Sequence, residues 1–187
     1  PPYVRPENVN KKERGYFLNA GEFEKTFGRF DLYILFVERA LKLLKQNGYF
    51  SFIIPSSFFN QNYAKELRTW ILKEFEILHI IDLSDIKVFK TAIVQTCIMV
   101  VRKKKPARNH KILIKKPREI SELENVNGGN LMAQNIFLEM PQSMIRTDLN
   151  EQVISIVGKV DNASIKMRDI CYIVIGSVPH DSKTGAS

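Results

Sequence analysis

The sequence has few of the residues that build metal centres or disulfide frameworks. It contains 2 cysteines and 3 histidines in 187 residues. Cys97 and Cys171 lie far apart, and neither belongs to a Cys-x-x-Cys or Cys/His cluster. Metal sites need closely spaced ligands, and disulfide scaffolds need sets of paired cysteines. We therefore expect no metal site and two reduced cysteines, with Cys97 as a small core residue of a strand.

Long apolar runs are also missing from the chain. No run approaches the roughly 18 residues that a membrane span requires, and no signal peptide is recognisable. The expectation is a cytoplasmic protein that does not contact a membrane. The first residue is proline and not methionine, and 187 residues suit one domain or slightly more. We interpret the chain as a piece of a larger protein.

What the chain does have is an excess of positive charge. Its net charge is +8 and its pI is about 9.5, which suits a polyanionic partner. Many of the basic residues fall in one run, where a solvated strand end and contacts to phosphate groups are both open interpretations. The run comprises Arg102, Lys103, Lys104, Lys105, Arg108, Lys111, Lys115, Lys116 and Arg118.

Two amphipathic helices are predicted from apolar residues at spacings of three and four. The first spans Asp31 to Lys45, and the second follows Asn60 or Asn62, either of which can cap it. Their apolar stripes are Phe30, Ile34, Val37, Leu41 and Leu44 in the first, and Ala64, Leu67 and Ile71 in the second. The charged residues placed elsewhere on the two helical wheels are Glu38, Arg39, Lys42 and Lys45, and Lys65, Glu66 and Arg68.

Three strands are predicted around these helices, so the expected fold class is α/β. Gly48 to Ile54 is apolar on both faces, as in an interior strand of a parallel sheet, and Pro55 ends it. Ile77 to Leu83 is the second strand, and Ala92 to Val101 is the third. The short connection between the last two favours an antiparallel hairpin.

Periodicity weakens after the third strand. The sequence still suggests four elements there. They are short strands at Lys111 to Lys115 and Asn135 to Met140, a turn-rich loop at Asn125 to Asn130, and a helix at Asn150 to Val160 with Asp148 or Asn150 as its cap.

One motif opens the chain, Pro1-Pro2-Tyr3, and Val88-Phe89-Lys90 lies between two later apolar runs. Between them come the first helix, the first strand and the stretch from Pro55 to Phe59. This order resembles the second half of the catalytic domain of gamma-class N6-adenine DNA methyltransferases from type II and type IIG restriction-modification systems. In that family the tripeptide ends an Asn/Asp-Pro-Pro-Tyr/Phe motif, whose first residue would precede Pro1.

The resemblance implies a domain organisation for the chain. Residues 1–105 would be the C-terminal half of a Rossmann-like methyltransferase sheet, 106–163 a connecting region, and 164–187 the incomplete start of a target-recognition domain. The cofactor would be S-adenosylmethionine, whose glycine-rich binding turn belongs to the opening half of the domain. The chain alone is therefore expected to be inactive, and its implied partner is double-stranded DNA.

The resemblance also implies roles for individual residues. Pro1, Pro2 and Tyr3 would be catalytic, with the Pro1 carbonyl accepting a hydrogen of the adenine amino group. Tyr3 and Phe89 would stack on opposite faces of a base flipped out of the duplex. Phe36 would pack on the adenine of the cofactor. The alternatives are helix core for Phe36 and a local aromatic cluster for Phe89.

Other functions stay open at this point. The same tripeptide occurs where cytosine N4 or an RNA adenine is methylated, and in glutamine-modifying protein methyltransferases, although the aromatic loop and the basic run disfavour the last. A non-catalytic DNA-recognition module on a methyltransferase scaffold is a further alternative. Ser56 and Ser57 are not predicted as nucleophiles, because no Gly-x-Ser-x-Gly elbow or matching His/Asp set accompanies them.

The last expectation concerns one edge of the sheet. In the family, the strand matching Tyr49 to Ile54 is flanked by the strand that leads into the tripeptide, and that strand is not in the sequence. An unpaired apolar edge tends to find a partner. We expect self-association through this edge, or its coverage by Pro1 to Gly21, and we expect the amides of Phe50, Phe52 and Ile54 to face it.

Overall fold

The structure is a computed structural model, and it describes residues 1–19, 21–89, 94–124 and 128–172. The chain divides into two compact units, Pro1–Leu149 and Asn150–Ser187. Within the described residues, the strands are β1 (Tyr49–Pro55), β2 (Glu76–Asp82), β3 (Thr96–Arg102), β4 (Lys111–Lys115) and β5 (Asn130–Ala133). The α-helices are α1 (Lys11–Asn19), α2 (Tyr33–Leu43), α3 (Lys65–Glu74), α4 (Ile136–Glu139), α5 (Glu151–Ala163) and α6 (Met167–Ile170).

The described strands form one mixed sheet in the order β1-β3-β2-β4-β5. β3 is antiparallel to both β1 and β2, so β1 and β2 run in the same direction and α3 connects them. β4 is parallel to β2, and β5 is antiparallel to β4. The predicted α/β class, with its order of strand, helix, strand and antiparallel hairpin, is confirmed. The third predicted strand began at Ala92, which lies outside the described residues.

The first strand has an unpaired edge in the described sheet, as expected from the missing flanking strand, but the parallel neighbour suggested by its two apolar faces is not among the described strands. β1 lies at the edge of this sheet, and its one described neighbour, β3, is antiparallel to it. The return strand of the hairpin inserts between β1 and β2. A run that is apolar on both faces shows that both faces are to be covered, but it says nothing about the direction of the neighbouring strand.

The apolar stripes of the two predicted helices form much of the core. Ile34, Val37 and Leu41 in α2 are fully buried, as is Leu67 in α3. α2 lies against β1, and α3 lies against β2. Burying each such side chain contributes about 1.5–3 kcal/mol relative to leaving it exposed. Cys97 in β3 is buried and free, as predicted, and burial raises the pKa of its thiol.

Two charged residues that the helical wheels placed away from the core are in fact buried. Glu38 in α2 and Arg68 in α3 both have 0% of their surface exposed. The wheel shows which face a residue occupies, but it cannot show that loops fold over that face. Here those loops supply hydrogen-bond partners for both charges.

The chain after β3 adds two strands to the sheet. The predicted strand at Lys111 to Lys115 is confirmed as β4. β5 begins at Asn130, the last residue of the predicted loop at 125–130, of which 125–127 lie outside the described residues. The predicted strand from Asn135 to Met140 is wrong, since this segment contains α4. A short apolar run does not distinguish a buried strand from a single helical turn.

The second unit is helical in its described part. The predicted helix at 150–160 is confirmed as α5, and the Asn150 side chain caps it by accepting a hydrogen bond of 2.8 Å from the backbone N–H of Val153. The proposed target-recognition segment falls mostly on residues 173–187, which lie outside the described residues. None of the helices in the described part of the chain is long and apolar enough to cross a membrane.

The hydrogen-bond alternation of β1 shows which amides face its unpaired edge. The N–H of Lys103 donates to the carbonyl of Gly48, and the N–H of Ser56 donates to that of Gln95, both at 2.9 Å. In an antiparallel pair every second residue bonds to the partner. Counting inward from Gly48 and Ser56, the residues of β1 whose N–H groups bond to β3 are Phe50, Phe52 and Ile54. The expectation that their amides face the free edge is therefore wrong.

The amides that do face this edge include those of Ser51 and Ile53. One side chain reaches it, since Tyr3 Oη donates to the Ile53 carbonyl at 3.0 Å. We expect the amides of Phe50 and Phe52 to be protected from hydrogen exchange, and those of Ser51 and Ile53 to exchange quickly at low protein concentration. Slower exchange of the second pair at high concentration would indicate edge-to-edge association. Fast exchange of Phe50 would contradict the register.

Candidate functional site

A cleft of about 740 Å³ lies where β1 ends. The chain turns there from Pro55 into a short 3-10 helix, Ser56–Phe59. The N-terminal segment forms another wall, held to the start of α2 by a 3.0 Å hydrogen bond from the N–H of Leu32 to the carbonyl of Val4. Residues that line the cleft include Tyr3, Arg5, Asp31, Ser57, Tyr63 and Gln95.

The structure brings the two predicted base-stacking residues together. The rings of Tyr3 and Phe89 lie edge to face, with centroids 5.7 Å apart and an angle of 62° between the ring planes. Both side chains are partly exposed. Tyr3 also lines the cleft, and its hydroxyl is held by the bond to Ile53 in β1. Residues 86 positions apart in the sequence thus form an aromatic pair at the edge of the cleft.

The other predicted site residues are Pro1, Pro2 and Phe36. Pro1 is exposed and Pro2 partly buried, directly before Tyr3. Phe36 is 45% exposed, although its neighbours Leu35 and Val37 on α2 are buried. Phe36 is therefore not part of the core that the described residues form. Its ring is available to a flat apolar ligand, but no described contact connects it with Tyr3 or Phe89.

A hydrogen-bond chain that the sequence did not suggest runs through the cleft. Tyr63 Oη donates to Asp31 Oδ2 at 2.8 Å, and Ser57 Oγ lies 3.3 Å from Tyr63 Oη. Burial raises the pKa of Tyr63 to about 12, and the bond to Asp31 adds to this. Burial also raises the pKa of Asp31, while the bond from Tyr63 partly offsets that shift. The phenol therefore keeps its proton at neutral pH.

The sequence carries little that could have revealed these hydrogen bonds. Asp31 precedes a predicted helix and looks like an ordinary cap, and Tyr63 lies in a short turn 32 positions away. Arg5 is not part of this hydrogen-bond chain, but it also lines the cleft. It lies two residues after the tripeptide and could have been included as a candidate on proximity alone.

The start of the basic run is engaged in structural contacts. Lys103 Nζ donates to carbonyls at the end of α2, at 2.7 Å to that of Leu44, where a cation is favourable for the helix dipole. Arg102 and Lys104 both pair with Glu76, at 3.8 and 2.8 Å. These three cations therefore have structural partners. Contact with phosphate groups stays a prediction for the basic residues after Lys104.

Comparison with known proteins shows a resemblance in the N-terminal part of the chain. Residues 1–89 match the protein family described as Eco57I restriction-modification methylase. This match covers the tripeptide, α2, β1, α3, β2 and Phe89. The resemblance of this part of the chain to restriction-modification DNA methyltransferases is therefore confirmed.

Individual relatives give the same result. The type II restriction enzyme and methyltransferase RM.Eco57I of Escherichia coli is 30% identical over 106 residues, which is 55% of this chain. The type II methyltransferase M.XhoI of Xanthomonas vasicola is 32% identical over 107 residues, or 57% of this chain. These matches span only 10% and 19% of the two relatives.

One solved structure is also similar. It is that of the type IIG restriction endonuclease BpuSI, which matches 60% of this chain and 14% of its own with a TM-score of 0.45 and 24% identity.

Proposed function

We propose that this chain is part of a DNA methyltransferase of a restriction-modification system, which transfers a methyl group from S-adenosylmethionine to adenine N6. The observation that carries the proposal is the pairing of Tyr3 with Phe89 beside the cleft, in a segment that matches restriction-modification methylases. A target base in a duplex can reach an enzyme only when it is flipped out, and aromatic side chains are suited to hold it.

The chain's own residues have distinct roles in this proposal. Tyr3 and Phe89 bind the two faces of the flipped base, and each stacking contact contributes about 1–3 kcal/mol. Their rings touch edge to face, so a base can enter only when the rings move apart. The bond from Tyr3 Oη to Ile53 anchors one ring to β1, so Phe89 is the ring expected to move.

The amino group of adenine needs help to react because its lone pair is delocalised into the ring. The carbonyl of Pro1 would accept one of its hydrogens and orient the lone pair toward the donor. The fixed φ of proline holds the backbone on either side of this carbonyl. No covalent intermediate is needed, so the proposal assigns no nucleophile role to Ser56 or Ser57.

S-Adenosylmethionine would supply an activated methyl group when bound. The described residues offer one fitting feature, the exposed ring of Phe36 on α2, which suits packing against the flat adenine of the cofactor. We propose this role for Phe36 and assign no other cofactor contact within the chain.

The test uses Tyr3→Ala and Phe89→Ala in the whole protein that contains this chain. Each change removes one stacking face, so methyl transfer should fall by about 10- to 100-fold while affinity for S-adenosylmethionine stays nearly unchanged. Fluorescence of 2-aminopurine at the target position should also fall, because the base is held outside the stack less often. The modified base in the product DNA should be N6-methyladenine.

Tyr3→Phe is the matched control. It keeps the ring and removes only the hydroxyl bond to Ile53, so most of the activity should remain. If both alanine variants weaken cofactor binding as much as methyl transfer, the stacking roles are wrong. If N4-methylcytosine is the product, the assignment of adenine is wrong although the DNA methyltransferase class still holds.

A further inference from the structure

Another cavity, of about 280 Å³, lies at the end of the sheet opposite the cleft. It is lined by the end of α3, the loop between β3 and β4, and the start of α4. The cleft lies where β1 ends, whereas this cavity lies where β1 and β2 begin and antiparallel β3 ends. β1 has seven residues, so at about 3.3 Å per residue the two cavities are about 23 Å apart.

The cavity is rich in positive charge, and we call it the basic pocket. The ionisable residues that line it are the cations Lys73, Lys105 and Arg108 and one acid, Glu74, all of them exposed. Among the residues that the structure describes, none of the three cations has an ion-pair partner within 4.0 Å or a side-chain hydrogen bond. Lys105 and Arg108 thus differ from the start of the basic run, whose three cations all have such partners. The charge of the pocket is therefore available to an anionic ligand.

The walls of the basic pocket are joined by Gln134, which is only 2% exposed. Its side-chain amide donates to the carbonyls of Leu72 at 2.8 Å and Phe75 at 2.7 Å, at the end of α3. Its backbone N–H donates to the carbonyl of His110 at 3.0 Å, in the loop after β3. The backbone segments that carry the three cations are therefore fixed relative to one another, which lowers the cost of binding a ligand between them.

We propose that the basic pocket binds phosphate groups of the DNA backbone, as a contact separate from the cleft. A guanidinium suits bidentate contact with a phosphate, and an ammonium group acts as a point charge beside it. The inference rests on the proposed function in taking DNA as the ligand. Because a duplex rises about 3.4 Å per base pair, DNA that occupies both sites must extend at least about seven base pairs beyond the target base. The pocket therefore lengthens the DNA needed for full affinity and adds no base specificity.

The test uses the whole protein that contains this chain and two duplexes with its methylation site. One duplex ends about four base pairs from the target base on each side, and the other extends about fifteen. Lys105→Gln and Arg108→Gln should each weaken binding of the long duplex by about 10-fold at low salt, the worth of one charge-assisted contact. Each should also reduce the slope of log affinity against log salt by about 0.9. Affinity for the short duplex should not change.

Lys104→Gln is the matched control. Lys104 is adjacent to Lys105 in the sequence and is also exposed, but it is already paired with Glu76 at 2.8 Å. Its loss should therefore leave both the affinity and the salt slope nearly unchanged. Arg108→Lys keeps the charge, so it should keep the salt slope that Arg108→Gln loses. The rate of methyl transfer at saturating long duplex should be the same in all these variants, because the basic pocket does not touch the target base.

Three outcomes would overturn the proposal. The Lys105 and Arg108 variants could bind the long duplex as tightly as the unaltered protein does. They could weaken binding of both duplexes equally, which would indicate an effect of overall charge and not a separate contact. They could lower the melting temperature and leave DNA affinity intact, which would show that a segment of the protein fills the pocket. In these cases DNA methylation still stands, since the modified base is measured independently, whereas a whole protein that binds no DNA contradicts both proposals.

Discussion

Replacing Arg68 with alanine is expected to destabilise the unit Pro1–Leu149 by about 3–5 kcal/mol, the usual cost of removing one partner of a buried charged network. Arg68 is fully buried. It donates to four backbone carbonyls, those of Phe58, Gln61, Gln142 and Ser143, over 2.7–3.2 Å. These carbonyls belong to two segments far apart in the sequence, so the guanidinium joins the turn at the cleft to the segment after α4.

The measurement is denaturant unfolding of the chain, with Arg39→Ala as the matched control. Arg39 also lies on a helix, but it is half exposed and pairs with Glu22 at 3.5 Å, so its loss should cost less than about 1 kcal/mol. Arg68→Lys should be intermediate, since one ammonium group cannot reach all four carbonyls. Equal losses for Arg39→Ala and Arg68→Ala would show that the carbonyls are satisfied without the guanidinium.

The contribution of Arg68 to the free energy of unfolding should not depend on pH near neutrality. Burial lowers the pKa of Arg68 to about 10, below the ordinary arginine value. Below about pH 10 the guanidinium is protonated in both the folded and the unfolded chain, so its contribution is constant. Only as pH rises past 10 does the folded chain release the proton first, which favours folding. The difference between Arg68→Ala and the unaltered chain should thus be the same at pH 6 and pH 8.

The sequence was informative about the elements of this fold because long periodic patterns reflect which faces are buried. α2, α3 and the β2–β3 hairpin follow directly from such patterns. Arg68 shows where this reasoning stops. It occupies a polar position on the wheel, and only the folded positions of Gln142 and Ser143, more than 70 residues later, make that position internal.

The candidate site was predictable only through its motif. Tyr3 and Phe89 were paired by resemblance, and no periodicity or spacing would have joined them. Asp31, Tyr63 and Ser57 belong to three different local patterns: a helix start, a turn and a strand end. Their hydrogen bonds depend on how β1 and α2 are juxtaposed, which is a property of tertiary structure and not of any local stretch.

Glu38 provides the second large expected effect. Its side chain is fully buried on α2 and accepts four hydrogen bonds from one loop. The donors are the N–H of Glu24 at 2.7 Å, the N–H of Lys25 at 3.2 Å to each carboxylate oxygen, and Thr26 Oγ1 at 3.0 Å. Lys42 Nζ lies 3.0 Å away and completes the charge pair. The carboxylate therefore ties residues 24–26 to the helix that carries Phe36.

Glu38→Ala is expected to cost about 3–5 kcal/mol in the free energy of unfolding, because it leaves several buried donors and the Lys42 charge without their acceptor. Glu38→Gln keeps the shape but removes the charge and turns one oxygen into a donor that faces other donors, so about 1.5–3 kcal/mol should be lost. Glu66→Gln is the control, since Glu66 is half exposed and pairs loosely with Lys65 at 3.7 Å. If Glu38→Gln costs no more than Glu66→Gln in denaturant unfolding, the carboxylate does not hold the loop.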